Sequence, residues 1–171
     1  PKLPKWEEVK LILHIGIPSG LQMAVISAGI AAIMSVVTSF GEAVVGGFGA
    51  AQRIDSLITL PAGALGTAVS SMAGQNIGVR NWRRVHLITR YALSLNLVIM
   101  LFVGLFVFCF AELSVKLFIQ DAEAVHFATM YLKTMAFFFP FLGVNFVLNG
   151  VVRASGAMYQ ILILNIISFW V

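Results

Sequence analysis

Residues 53–79 read RIDSLITLPAGALGTAVSSMAGQNIGV. Arg53 and Asp55 stand at the head of the stretch, and no further charge occurs from Ser56 to Val79. A helix that crosses a bilayer core needs ~20 predominantly apolar residues. The stretch therefore reads as a membrane-crossing helix with two charges near one mouth and the polar Gln75–Asn76 pair near the other. The alternative spanning structure, a β-barrel strand, is ~10 residues long with alternating polarity, and nothing here alternates in that way.

Working outward, the composition agrees. Of 171 residues, 60% are hydrophobic and only 11% charged, against ~25% charged in ordinary soluble domains. So little charge cannot cover a soluble surface, and the chain reads as an integral membrane protein. The net charge of +4 does not point to nucleic acid, because most of the basic residues flank hydrophobic runs and set membrane orientation instead. The single cysteine, Cys109, forms no internal disulfide and no metal cluster. Residues 1–10 are charged and the apolar run after them is too long for a signal core, so no secretory signal is expected there.

Charge-free runs predict spans at about 15–41, 46–79, 91–111, 130–152 and 155–171, the last cut off where the chain stops. The expected fold is an all-α, polytopic membrane protein of four complete transmembrane helices plus a truncated fifth. Three segments, the N-terminal flank, the 80–90 loop and the turn at Arg153, carry eight of the eleven Lys and Arg residues. The positive-inside rule makes that side cytoplasmic and leaves 112–128 as an extracytoplasmic segment, read as a short surface helix. Trp6 and Trp82 stand where interfacial aromatics are expected.

Polar residues within the spans are the candidates for function, since intramembrane polar groups are costly and face a bundle or a wet cavity. Gln52, Asp55, Ser56 and Thr59 lie close to one face of the second helix, with Arg53 on another. They read either as a cation or substrate pathway or as an ion pair of Arg53 and Asp55 at the outer interface. Asn145 and Asn149 are four apart beside Pro140 and Gly143, suited to interhelical hydrogen bonding or to a cavity lining. Gln22 and Asn96 are further polar residues in apolar runs, with Gln160 and Asn165. Gly63, Thr67, Ser70, Gly74 and Gly78 form a small-residue face that permits close helix approach. Met72 and the cluster at Phe137–Phe141 suit either an adaptable apolar pocket or plain packing. From Val44 to Val79 the helical pattern is ~54 Å long against a ~30 Å core, so the helix either tilts and protrudes or bends at Pro61. Its Gln75–Gly78 end is expected to be cytoplasmic, with polar side chains satisfying orphan carbonyls. No HExxH, GxSxG, Walker or CxxC pattern occurs, and the histidines stand alone, so no enzyme is expected.

Three stretches carry a family likeness. PAGALGTAVSSMAGQNIGVRNWRRV, YLKTMAFFFPFLGVNFVLNGVVRASGAMYQ and GIPSGLQ resemble, in turn, the second helix, the fourth helix with its turn, and the start of a half in multidrug and toxic compound extrusion (MATE) transporters. AQRIDSL is similar to the second half of the DinF-like branch. The resemblance implies twelve helices in two six-helix lobes around a central cleft, this chain matching one incomplete lobe. It implies a secondary antiporter that exports cationic or amphipathic drugs in exchange for H+ or Na+, with no cofactor. The implied partners are the lipid bilayer, small-molecule organic cations or drugs, and the other lobe of the same polypeptide. The implied location is a bacterial inner membrane. Within that reading Asp55 is the acid placed to reach the cleft. A lipid or polysaccharide flippase of the same superfamily, or a membrane partner protein without transport, are the alternatives.

Overall fold

The structure is a computed structural model that describes residues 6–170, leaving aside the side chains of Leu11, Leu164, Asn165, Ser168, Phe169 and Trp170. Lys2 and Lys5 of the basic flank, the Asn165 side chain and Val171 lie outside that description. The described backbone is all-α: α1 Trp6–Thr38, α2 Glu42–Gly78, α3 Trp82–Lys116, α4 Ala122–Ala136, α5 Phe139–Ala154 and α6 Met158–Trp170. Three of these, α1, α2 and α3, are long and apolar enough to cross a membrane, and α4 with α5 makes a fourth crossing if the bent pair counts as one. This is a polytopic membrane fold. Every backbone amide in a bilayer core needs an internal partner, and helices supply it within one segment.

The turns follow from local chemistry. Gly41 and Gly156 take φ of 102° and 78°, conformations that side chains rarely adopt, and they end α1 and α5 within tight connections. The Asn81 side chain accepts from the Arg84 amide at 3.2 Å and Asp121 from the Ala124 amide at 2.8 Å, capping α3 and α4. At the end of α2 the amides of Arg80 and Asn81 donate to the carbonyls of Ile77 and Asn76. The backbone thus does most of what was expected of polar side chains there. Asn76 adds a side-chain bond to the Met72 carbonyl, and the left-handed residue is Arg80, at φ 56°, rather than Gly78.

The breaks in the rods lie away from Pro61. α2 runs as one helix of 37 residues with Pro61 inside it. α3 instead kinks at Phe110 (φ −114°, ψ 16°), inside what reads as the cleanest apolar run. The expected fourth span at 130–152 is two helices, α4 and α5, bent by 58° across Phe137 and Phe138. Pro140 stands at the start of α5, where its missing amide costs nothing. The segment 112–128 is divided between the last turn of α3 and the first half of α4. Ala124 and Ala128 of that half are fully buried.

α2 is the centre of the packing, with α3, α4 and α5 around it, while α1 packs mainly against α6. Its first half meets α4, through Ala51, Ile54, Val125, Ala128 and Leu132 in one core with α3. Its second half meets α5 at close range. A methyl on Gly66 would sit 2.7 Å from the Phe146 carbonyl oxygen, and one on Gly150 would overlap the Gly66 carbonyl. The tight face of α2 is therefore Ala62, Gly66, Val69 and Ala73. That is one residue, about 100° of helix rotation, from the expected stripe at Gly63, Thr67, Ser70, Gly74 and Gly78. Thr67 and Gly78 of that stripe are exposed. Small size alone did not select the face; the partner backbone of α5 did.

Candidate functional site

The seven polar candidates separate into three groups at different depths. The first group is on the first half of α2. Gln52, Asp55 and Thr59 are partly buried and Arg53 is exposed. The hydroxyls of this turn are directed back onto their own helix, Ser56 to the Gln52 carbonyl at 2.8 Å and Thr59 to the Ser56 carbonyl at 3.0 Å. Asp55 makes no ion pair with Arg53 among the described residues, so the interfacial pair considered from sequence does not form. One Asp55 carboxylate oxygen is buried with no hydrogen-bond partner. Tyr131 of α4 is an electrostatic neighbour of Asp55, and its ring packs edge-on against Phe48 at 5.7 Å. A carboxylate with a free oxygen is chemically able to accept a proton or a cation.

The second group is on α5. Asn149 donates to the Asn145 side-chain oxygen at 2.6 Å and to the Asn145 carbonyl at 3.0 Å. The four-residue spacing thus brings the two amides together. They do not bridge to another helix among the described residues; Asn145 is exposed and Asn149 partly so. The α5 turn carrying Phe146 and Gly150 lies against Gly63 and Gly66. That is 8 to 11 residues beyond Asp55 along α2, or ~12–17 Å.

The third group joins α1 to α5. The buried Gln22 accepts from the Arg153 guanidinium at 3.5 Å. Ala154 lies beside Gly74, so this contact is ~28 Å from Asp55 along α2. Arg153 entered the sequence reading only as an orienting charge, and a contact across 131 residues leaves no local signal. Tyr131 beside Asp55 was missed for the same reason.

Asn96 is a different case. It is fully buried, its amide donates to the Gly143 carbonyl at 3.0 Å, and its oxygen finds no partner. A methyl on Gly143 would meet that oxygen at 2.8 Å. Asn96 thus locks α3 to α5. Of the Phe137–Phe141 cluster, Phe139 is fully buried. Phe137 packs edge-on against Phe108 at 5.5 Å and helps line a shallow apolar hollow of about 350 Å3. No cluster of residues that could hold a metal ion occurs among the described residues.

Polar groups thus stand along an apolar bundle, with one carboxylate oxygen buried and without a partner, and such groups mark candidate functional positions. The MatE family profile matches residues 18–171. The chain belongs to the MatE family. Among curated proteins it is 58% identical over all 171 residues to the probable multidrug resistance protein YpnP of Bacillus subtilis, covering 38% of that protein. It is 26% identical over 167 residues, 98% of the chain and 36% of the relative, to the probable multidrug resistance protein NorM of Thermotoga maritima. A third relative, the probable multidrug resistance protein YoeA of Bacillus subtilis, is 26% identical over 164 residues, 96% of this chain and 35% of its own length. The chain spans well under half the length of the curated relatives it matches.

Proposed function

We propose that this chain is part of a secondary antiporter that exports cationic or amphipathic drugs in exchange for H+ or Na+. The observation that supports it best is the 58% identity, over the whole chain, to a relative named as a probable multidrug resistance protein. The half-buried Asp55 fits the coupling step. Its charge changes when it takes a proton or a cation, and that change biases any equilibrium between two arrangements that expose it differently. The remaining length of the polypeptide supplies the second lobe, and substrate passes between the two. The 80–90 segment, the α2–α3 turn and the first turns of α3, has four arginines and no acid and faces the cytoplasm of a bacterial inner membrane, and Asp55 lies toward the outer side.

Two measurements test this in the full-length protein. Asp55→Asn should abolish cation-driven drug efflux while leaving expression, detergent stability and drug binding near wild type. Normal efflux by a well-folded Asp55→Asn variant removes Asp55 from the coupling step. In a Cys109→Ala background, single cysteines at Asn81 and Asp121 should label from opposite sides with an impermeant thiol reagent. Labelling of the Asn81 site from outside intact cells reverses the orientation.

A further inference from the structure

A groove of about 530 Å3 runs between α2 and α3, away from the polar groups above. Leu65, Val69 and Met72 of α2 and Leu87 and Leu95 of α3 form its apolar walls. Its polar lining residues are Gln75, Asn76 and Arg84 at one end and Tyr91 further along α3.

Its length, its charge and its flanking aromatics each bear on what fills it. From Arg84 to Leu95 is ~16 Å of helix, and from Gln75 back to Leu65 is ~15 Å. Half of a ~30 Å hydrocarbon core is ~15 Å, so the groove is as deep as one leaflet. Arg84 is exposed and makes no ion pair among the described residues. It stands in a segment that also holds Arg80, Arg83 and Arg90 and no acid. Trp82, 56% exposed, stands two residues before Arg84 at the polar end, where such a ring settles at headgroup level; Tyr91, 71% exposed, lines the groove seven residues further along α3. The cation therefore lies where a lipid phosphate lies, and the apolar walls lie where its acyl chain lies.

We propose that the α2–α3 groove binds an anionic phospholipid of the bordering leaflet, with one acyl chain along the walls and the phosphate at Arg84. Gln75 and Asn76 flank the phosphate. Basic pockets between transmembrane helices hold anionic headgroups in this way. The site needs only that the chain spans a bilayer. It holds whichever side the loop faces and whatever the transporter carries.

The test uses the purified full-length protein in mild detergent, with native mass spectrometry after addition of dioleoylphosphatidylglycerol or dioleoylphosphatidylcholine. Wild type should retain the anionic lipid in preference. Arg84→Gln should lower that retention about fivefold, the effect of one interfacial cation, and leave phosphatidylcholine unchanged. Ala68→Phe, which fills the groove from an exposed position, should lower retention of both lipids. Arg83→Gln, in the same first turn of α3 but outside the groove, should behave as wild type. Equal retention by wild type and Arg84→Gln overturns the site. Equal losses in Arg83→Gln and Arg84→Gln also overturn it, since they show diffuse attraction to the loop. A third overturning result is Leu87→Cys, in the Cys109→Ala background, that a bilayer-soluble maleimide cannot reach, because the rest of the polypeptide then fills the groove. Drug efflux enters none of these readouts, so failure of the antiporter reading leaves the result intact.

Discussion

α1 and α2 have 33 and 37 residues, both are apolar enough to cross a bilayer, and both contain an internal proline, Pro18 and Pro61. Their surroundings differ. α2 buries nine residues, among them Gly47, Ala50, Ala51, Ala62, Gly66 and Ala73. Among the described residues of α1, only Pro18, Gln22 and Gly29 are buried, and Ile12, Ile17, Leu21, Ile30 and Ile33 point outward. In water an exposed isoleucine is a lost opportunity for burial. In lipid it is not, because acyl chains are as apolar as the side chain. Where α2 meets α5, glycine lets the two backbones come together. Apolarity therefore marks which segments enter the membrane, and small side chains mark where α2 packs closely within this chain.

Substitutions in the full-length protein, followed by denaturant unfolding in detergent micelles, test that contrast. The largest effect is expected from Gly66→Ala. Its methyl meets the Phe146 carbonyl at 2.7 Å, and the α2–α5 pair must separate at a cost of about 2–3 kcal/mol. A neutral result would mean that α5 yields freely and that close approach does not hold α2 in place. Asn96→Ala should cost about 1–2 kcal/mol, through the lost bond to Gly143 and the space left behind. Gly74→Ala should go the other way, gaining up to about 1 kcal/mol from helix propensity, because the nearest atom to its methyl is the Ala154 Cβ at 4.0 Å. A loss as large as that of Gly66→Ala would restore the stripe expected from sequence. The smallest change is expected at Gln22→Leu. Its 3.5 Å contact with Arg153 should contribute below about 0.6 kcal/mol, the average for polar contacts between membrane helices. A larger loss would show that α1 is held by this contact after all.

The sequence made the helical, membrane-spanning character plain because charge is excluded from a hydrocarbon core, and absence of charge is readable residue by residue. It was less informative about α4. The buried side of α4 is Ala124, Ala128, Leu132 and Ala136, mostly alanine, while Glu123, His126 and Lys133 occupy other faces and are exposed. Averaged over both faces, such a helix resembles a surface segment. The break before α5 had one local sign, Pro140 at a helix start. Among the polar residues, the Asn145–Asn149 pair was readable because helical spacing enforces it. The Gln22–Arg153 and Asp55–Tyr131 neighbours were not, since they depend on how separate helices pack. The rotation of the tight face of α2 by one residue belongs to the same class. Both candidate faces are rich in small residues, and only the position of Gly150 decides between them.

The bend between α4 and α5 bears on how the protein is made. With 15 and 16 residues, the two helices are ~23 and ~24 Å long, and each falls short of a ~30 Å core. Neither completes a crossing by itself as it leaves the ribosome. The carbonyls released at the bend need shelter beside protein, and within this chain α2 and α3 precede the pair and pack against both. Biosynthetic order therefore matches structural need: the two long helices are in place first, and the broken crossing is completed against them.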